Sequence, residues 1–177
     1  MNYINEILKY LNQKNHEKEL KEITNLILKV KNKNKNVFLF GNGGSASIAD
    51  HIQLDLSNKC NIRSYTYNSP GIITCFSNDY GYKLAIKKFM EIYLNKGDII
   101  FLISSSGTSE NMISAANYLI KTHKVITLTG FKNKNKLSKI GNINLWVNSS
   151  NYNVVETLHQ IYLLQIVENL INNKYQI

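Results

Sequence analysis

The sequence has little cysteine and almost no proline, and it contains no long run of apolar residues. Its two cysteines among 177 residues, Cys60 and Cys75, are not spaced as a metal knuckle or a redox pair. The longest apolar runs, such as 99–103, are much shorter than a bilayer-spanning helix. The N-terminal stretch lacks the apolar core of a signal peptide. We therefore expect a cytoplasmic protein with reduced cysteines and no membrane partner.

Acidic residues are also scarce, with 12 against 21 lysines and arginines, which gives a formal net charge of +9. Much of the excess lies in two lysine-asparagine stretches, 31–35 and 132–136, which lack the interleaved aromatic residues of a nucleic-acid surface. Such stretches are typical of solvated connections. We therefore do not expect a nucleic-acid partner, and the positive charge instead favours an anionic small molecule.

Apolar residues recur with two different periods, which predicts an α/β fold. Short apolar runs typical of buried parallel strands alternate with segments whose apolar residues are three or four apart, as in helices. Strands are predicted at 37–40, 99–104, 125–129 and 143–147, and helices from an N-cap at Ser45 and at 80–95, 110–122 and 154–173. The alternation predicts a three-layer, Rossmann-like domain with a central parallel sheet and a ligand site beyond the strands' carboxyl ends.

The N-terminal region precedes the first strand and has helical spacing of apolar residues over 2–31. We interpret it as an N-terminal helical arm (1–33), made of one or two helices, outside the α/β core (37–173) of a single domain (1–177). An apolar arm must be covered, and we expect it to pack on both its own sheet and a partner subunit.

The segment 104–109, Ser-Ser-Ser-Gly-Thr-Ser, follows an apolar strand and precedes a helix. Its hydroxyls and backbone N–H groups converge where the helix dipole is positive, so we predict a phosphate cradle that needs no lysine. The alternative is a serine-rich turn with a helix cap. We refer to this segment as the second anion loop.

The segment 41–45, Gly-Asn-Gly-Gly-Ser, has the same position between a strand and a helix, and we refer to it as the first anion loop. Its glycines allow a ligand to approach the backbone closely. A dinucleotide site is not favoured, because Ala46 stands where the third glycine of that fingerprint belongs and 62–67 contains no acid for a ribose.

Five motifs occur in order: Gly-Asn-Gly-Gly-Ser at 41–45, Asn-Asp-Tyr-Gly-Tyr at 78–82, Ile-Ser-Ser-Ser-Gly-Thr-Ser at 103–109, Val-Ile-Thr-Leu-Thr-Gly at 125–130, and Glu156 with His159. In this combination the chain resembles the phosphoheptose isomerases over nearly its whole length. The resemblance implies a sugar isomerase (SIS) fold, a homotetramer with active sites at subunit interfaces, and interconversion of sedoheptulose 7-phosphate and D-glycero-D-manno-heptose 7-phosphate. That heptose feeds lipopolysaccharide or capsule synthesis.

The resemblance also assigns binding residues by their positions in these motifs. The phosphate ligands would be Ser104, Ser105, Ser106 and Ser109. In the first anion loop, Asn42 and Ser45 would hold sugar hydroxyls, beside the backbone of Gly43 and Gly44. Asp79 would be a further sugar-contacting or structural acid.

In the family, the helix after the first anion loop carries a histidine and, four residues later, a glutamate that acts as the base. His51 and Asp55 occupy these places, and their spacing puts both on one helical face. Asp55 is a candidate for the base that removes a proton beside the carbonyl. Its side chain is one methylene shorter than glutamate, and the alternative is a solvated helix residue.

The family's proton-carrying histidine on the last helix is replaced by Leu164, which transfers no proton. Glu156 and His159 lie one turn apart on that helix, and either is a candidate to take over the proton transfer. His159 is equally compatible with a partly buried, hydrogen-bonded residue. We expect that the reaction requires no cofactor. Some relatives hold zinc at the places of His51, Asp55, Glu156 and the replaced histidine, so the alternative is a zinc site with the three remaining ligands.

Two functions follow from this sequence. The first is an aldose–ketose isomerase acting on a heptose phosphate. The second is a non-catalytic SIS protein that binds a sugar phosphate or a protein partner, as do SIS relatives that associate with the replication initiator. The observation that supports this second function is Leu164, which stands in place of the family's histidine.

Overall fold

The computed structural model describes residues 2–13 and 16–174, with the side chains of 173 and 174 left out of the description. In chain order the elements are α1 (Tyr3–Asn12), α2 (Glu17–Asn32), β1 (Val37–Gly41), α3 (Gly44–Asn58), β2 (Ser64–Thr66), α4 (Pro70–Tyr80), α5 (Tyr82–Tyr93), β3 (Ile99–Ser104), α6 (Glu110–Leu119), β4 (Lys124–Thr129), β5 (Ile143–Trp146) and α7 (Tyr152–Lys174).

The five strands form one parallel sheet in the order β2-β1-β3-β4-β5. Strands β1 and β3 are buried along their whole length, as expected for the centre of a sheet with both faces covered. The chain leaves β1 toward β2 on one side and returns to β3 on the other. This reversal opens a crevice beyond the carboxyl ends of β1 and β3, where parallel α/β folds bind their ligands.

Alternate residues of the strands enter two separate apolar cores, one on each face of the sheet. Leu39 and Phe101 point into the core that α1, α2, α3 and α7 cover. Phe40 and Leu102 point into the core that α4, α5 and α6 cover. The predicted three-layer fold with helices on both faces is confirmed.

The arm consists of two helices that pack on the α7 side of the sheet. Helix α2 contributes Ile23 and Ile27 to the core, and both side chains are almost completely buried. Helix α1 contacts the start of α7: the Tyr3 and Thr157 hydroxyls lie 2.5 Å apart, and the Ser149 hydroxyl donates to the Glu6 carboxylate at 2.7 Å. The predicted cover of the chain's own sheet is present. The predicted helical range 2–31 includes residues 14 and 15, which lie outside the described residues.

Several boundaries differ from the predictions for local reasons. Strand β2 was not predicted, because it has three residues at the sheet edge and carries little pattern. Helix α4 was also not predicted, because none of its residues is fully buried; Gly81, with φ of 73°, separates it from α5. Ser45 is not the N-cap of α3, since Gly43, two residues earlier and with φ of 53°, is the N-cap and the helix begins at Gly44. In the described part of the chain, no helix is long and apolar enough to cross a membrane.

Candidate active site

The two anion loops meet at the crevice between β1 and β3 and enclose a cavity of about 110 Å³. Its walls are formed by Asn42, Ser45, Ile103, Ser104, Ser105, Ser106, Ser109, Tyr152 and Glu156. A larger groove, about 720 Å³, lies between the arm and α7, away from both loops. The small cavity carries the chemistry, because hydroxyls, helix N-termini and one carboxylate converge on it.

The second anion loop presents its hydroxyls at the beginning of α6. The Ser104 hydroxyl donates to that of Ser109 at 3.1 Å, and both the N–H and the hydroxyl of Thr108 donate to the Ser106 oxygen, at 3.3 and 2.9 Å. Ser109 stands at the N-cap of α6, but its side chain does not cap the helix. The first N–H groups of α6 and the serine hydroxyls can therefore be turned toward an anion.

Gly107 gives the second anion loop its shape. Its φ of 63° lies in the left-handed region, and a Cβ atom there would lie 2.0 Å from Oδ1 of Asn135. The buried amide of Asn135 donates to the carbonyl of Gly130 at 3.2 Å, while the Gly107 carbonyl accepts from the N–H of Leu137 at 3.0 Å. The loop is therefore fixed from behind by the segment that follows β4.

Among the described residues, Glu156 supplies the only carboxylate on the cavity wall. The Ser105 hydroxyl donates to its Oε1 at 3.5 Å, and its Oε2 lies 2.4 Å from the place where a Gly44 side chain would begin. Gly44 is thus required so that Glu156 can approach the first turn of α3. The carboxylate from α7 reaches both anion loops in this way.

His159 lies one turn after Glu156 on α7 but points into the core. Its side chain is completely buried, and Nε2 donates to the carbonyl of Thr129 at 3.2 Å. Burial lowers the pKa of His159 to about 4; the hydrogen bond to Thr129 opposes this shift, and the charge of His16 adds to it. A neutral ring without access to the cavity corresponds to the buried, hydrogen-bonded alternative. The structure gives no support to His159 as a proton carrier.

His51 and Asp55 face the same side of α3, as predicted, but not the cavity wall. Asp55 is nearly buried: its Oδ1 pairs with Nζ of Lys59 at 3.0 Å, and its Oδ2 lies 3.7 Å from Nε2 of His51. Among the described contacts, Oδ2 accepts no hydrogen bond. Gln160 of α7 contacts Nδ1 of His51 at 3.1 Å. Burial and these pairs argue against the alternative of a solvated helix residue.

Asp55 is eleven residues after Gly44, about 16 Å along the helix axis at about 1.5 Å per residue. Because Glu156 contacts Gly44, the two carboxylates predicted to share the chemistry lie about three turns apart within one chain. Leu164 packs against the apolar core instead of completing a polar site between them.

The zinc ligands implied by the family are not assembled. Over 2–13 and 16–174, no three histidine, cysteine, aspartate or glutamate side chains come together in a way that could hold a metal ion. His51 and Asp55 are neighbours, but Glu156 faces the anion loops instead. The residues of one chain therefore do not fit zinc, and we assign no step to it.

Asp79 lies in the last turn of α4, exposed and outside the cavity wall. Its carboxylate accepts from the amide of Asn78 at 3.0 Å and from the thiol of Cys75 at 3.7 Å. A role in sugar binding stays a prediction for this residue.

The sequence patterns missed three residues at the site. Tyr152 lines the cavity from the first turn of α7, and no sequence signal marks it. Asn111 and Tyr82 hydrogen-bond to Asn42 behind the cavity wall. A buried asparagine immediately after an anion loop, inside an otherwise apolar helix face, is the signal that could have identified Asn111.

Comparisons to known proteins find relatives of this chain by sequence and by fold. The SIS domain family, as a sequence model, matches residues 1–130. The phosphoheptose isomerase of Aliarcobacter butzleri (strain RM4018) is 33% identical over 152 residues, covering 79% of this chain and 78% of that protein. The chain belongs to the phosphoheptose isomerase group of the SIS domain family. The phosphoheptose isomerase of Fusobacterium nucleatum is 27% identical to this SIS domain and covers 92% of it and 86% of its own length.

Solved structures show the same fold as this SIS domain. Phosphoheptose isomerase GmhA from Neisseria gonorrhoeae superposes with a TM-score of 0.86 at 22% identity, covering 95% of this chain and 93% of its own. A phosphoheptose isomerase from Francisella tularensis superposes with a TM-score of 0.85 at 25% identity, covering 97% and 92%. The predicted SIS fold is thus confirmed over nearly the whole chain.

Proposed function

We propose that this chain is an aldose–ketose isomerase that interconverts sedoheptulose 7-phosphate and D-glycero-D-manno-heptose 7-phosphate. The observation that carries the proposal is the cavity at the β1/β3 crevice, where the second anion loop, the N-terminus of α6 and the carboxylate of Glu156 meet. The similarity to phosphoheptose isomerases supports the choice of substrate. In this proposal the product supplies heptose for lipopolysaccharide or capsule synthesis.

The reaction needs two proton transfers. A base removes a proton from C1 of the ketose, and the electrons pass to the C2 carbonyl oxygen to give an enediolate, the anion of the enediol. The carbon-bound proton then returns to C2, while a second group moves a proton from the C1 oxygen to the C2 oxygen. Asp55 is our candidate for the base, since its Oδ2 is buried without a hydrogen-bond donor among the described residues. Glu156 is our candidate for the second group, since it lines the cavity.

The proposed enzyme works as a homo-oligomer, which we expect to be a tetramer, with sites shared between subunits. An extended seven-carbon sugar phosphate spans roughly 10 Å at about 1.2 Å per bond. The distance of about 16 Å along α3 from Gly44 to Asp55 exceeds that span. We therefore assign the phosphate to the anion loops of one chain and the base to Asp55 of a neighbouring chain.

The activity is tested by incubating the protein with sedoheptulose 7-phosphate in D2O and following the carbon-bound protons by NMR. An isomerase introduces deuterium from the solvent at C1 of the ketose and C2 of the aldose. Bound substrate that keeps its carbon-bound protons would discard the proposal.

The shared site is tested by complementation. The Asp55→Asn variant and a double variant, Ser106→Ala with Ser109→Ala, are expected to be nearly inactive alone. Co-expressed in one oligomer, they should recover part of the activity, because some sites then combine an intact Asp55 with an intact loop. Mixed oligomers without recovery would place both halves of the site in one chain.

The non-catalytic SIS function is favoured by one observation, the packing of Leu164 in the core where the family has its histidine. It predicts thermal stabilisation by sugar phosphates without turnover, and an Asp55→Asn variant that responds as the parent does. Efficient isomerisation that is lost in Asp55→Asn would remove this alternative.

A further inference from the structure

Three polar side chains form a connected set at the cavity: Asn42, which belongs to the predicted site, and Asn111 and Tyr82, which do not. The amides of Asn42 and Asn111 exchange two hydrogen bonds, with Nδ2 of Asn42 donating at 3.1 Å and Nδ2 of Asn111 donating at 2.9 Å. The hydroxyl of Tyr82 donates to Oδ1 of Asn42 at 2.8 Å. Asn42 belongs to the first anion loop, Asn111 to the first turn of α6, and Tyr82 begins α5. The set therefore joins three elements around the crevice.

The direction of every hydrogen bond in this set follows from one backbone group. The N–H of Met112 can only donate, and it points to Asn111 at 3.0 Å, so the atom that it contacts must be the amide oxygen of Asn111. The Asn111 nitrogen then faces Asn42 and requires an acceptor there, which is Oδ1. Because Oδ1 of Asn42 is an acceptor, the hydroxyl of Tyr82 must be the donor.

Both amide oxygens are consequently saturated. The Asn111 oxygen accepts from Met112 and Asn42, and the Asn42 oxygen accepts from Asn111 and Tyr82. A carbonyl oxygen accepts two hydrogen bonds, so Asn42 has no acceptor capacity left for a ligand. One N–H of its amide is uncommitted among the described contacts, on a residue that lines the cavity.

We infer that Asn111 and Tyr82 are positioning residues that hold the Asn42 amide so that it offers the substrate a hydrogen-bond donor only. The inference rests on the proposed function and refines it. The substrate group that hydrogen-bonds to the Asn42 amide must be an acceptor, such as a hydroxyl oxygen or a carbonyl oxygen of the sugar. Because Asn111 is buried in the helix that begins at the second anion loop, the same contacts hold the two anion loops at a fixed separation.

The Tyr82→Phe variant tests the inference with the least damage, because Tyr82 is 54% exposed and only a hydroxyl is removed. Calorimetry should show affinity for sedoheptulose 7-phosphate reduced roughly threefold to tenfold, the equivalent of one neutral hydrogen bond. Affinity for inorganic phosphate, which uses the second anion loop alone, should equal that of the parent, as should the melting temperature. Tyr93→Phe, on the same helix and 49% exposed, is the matched control and should change neither affinity.

The Asn111→Asp variant is a second probe, since it replaces the nitrogen that faces Asn42 with an oxygen of similar size. We expect a larger loss of sedoheptulose 7-phosphate affinity, and a variant that fails to fold leaves Tyr82→Phe to decide. Equal sugar phosphate affinities in Tyr82→Phe and the parent would overturn the inference. Equal losses for the sugar phosphate and inorganic phosphate would also overturn it, because they indicate general loosening of the site.

The behaviour of the parent separates this inference from the proposed function. Binding without turnover in the parent would refute the proposed isomerase and leave the positioning role standing. A parent that does not bind sedoheptulose 7-phosphate refutes both.

Discussion

The anion cavity and the α3 segment that carries His51 and Asp55 are built in different ways. The cavity is made of backbone turns and short hydroxyl side chains at the ends of two buried strands, so its parts are held by the sheet itself. The α3 segment depends on long side chains, since Gln160 of α7 contacts His51, and Lys59, the C-cap residue of α3, pairs with Asp55. Asp55 lies about 16 Å from Gly44 along the helix axis.

This difference separates binding from chemistry. In the proposed enzyme, a single chain holds the phosphate, because the anion loops and helix N-termini converge within that chain. By contrast, Asp55, the candidate base, is not among the described residues that line the anion cavity. In the proposed enzyme, affinity for phosphate is therefore a property of the subunit, and turnover is a property of the assembly.

The Asp55→Asn variant should separate the two regions most clearly, by reducing turnover without changing phosphate binding. Because the amide cannot accept the carbon-bound proton, we expect kcat to fall by about two to four orders of magnitude. Affinity for inorganic phosphate, measured by calorimetry, should stay at the parental value, since the second anion loop is distant. A loss of phosphate affinity in this variant would mean that Asp55 contributes to phosphate binding and that binding and chemistry are not separate.

The pH dependence of stability tests whether His159, one turn after Glu156 on α7, is buried in the core. Its pKa is about 4 when folded, against about 6.5 unfolded, so between these values the unfolded chain binds more protons. The free energy of unfolding should therefore decrease as the pH falls from about 6.5 to 4, by up to about 3 kcal/mol. Denaturant titrations at several pH values measure this, and His159→Gln should remove that part of the pH dependence. An unchanged profile in the variant would contradict the buried neutral ring.

Ser106→Ala tests the phosphate cradle. Loss of one hydrogen bond to a charged oxygen should weaken the binding of a sugar phosphate by about 1 to 3 kcal/mol in calorimetry. Ser114→Ala, on α6 and away from the cavity, is the control and should bind as the parent does. Equal affinities for Ser106→Ala and the parent would show that the second anion loop has been misassigned.

The smallest expected effect is that of Glu156→Gln on phosphate binding. Removal of a negative charge from the cavity wall should strengthen inorganic phosphate binding by about 1 kcal/mol, while turnover falls if Glu156 moves the oxygen-bound proton. Glu168→Gln, three turns further along α7, is the matched control because solvent and salt screen its charge. Weaker phosphate binding in Glu156→Gln would mean that the carboxylate organises the loop.

Much of the fold could be predicted because the central strands are short apolar runs followed by glycine or serine turns. The same pattern located both anion loops, since parallel strands end at one edge of the sheet. Strand β2 and helix α4 escaped because an edge strand of three residues and a helix without a fully buried residue leave little periodicity.

The site could be predicted less completely, because the roles of side chains depend on helix packing. Glu156 and His159 are three residues apart on one helix, so the sequence predicts that they face the same side. Only the packing of α7 directs Glu156 to the cavity and His159 into the core. The separation of Asp55 from Gly44 follows from the axial rise of α3, which a motif match does not take into account. Tyr82 and Asn111 act through the direction of their hydrogen bonds, which becomes known only when the packing around Asn42 is known.

The contacts of α1 with residues 148–157 have a practical consequence for work with shortened proteins. Removal of the first dozen residues would leave the sheet and both loops in place. It would also remove contacts close to Glu156, because Tyr3 contacts Thr157 and Glu6 contacts Ser149. Such a trimmed protein would pass a circular dichroism check and still give misleading kinetics. The arm should therefore be kept in every sample used for assays.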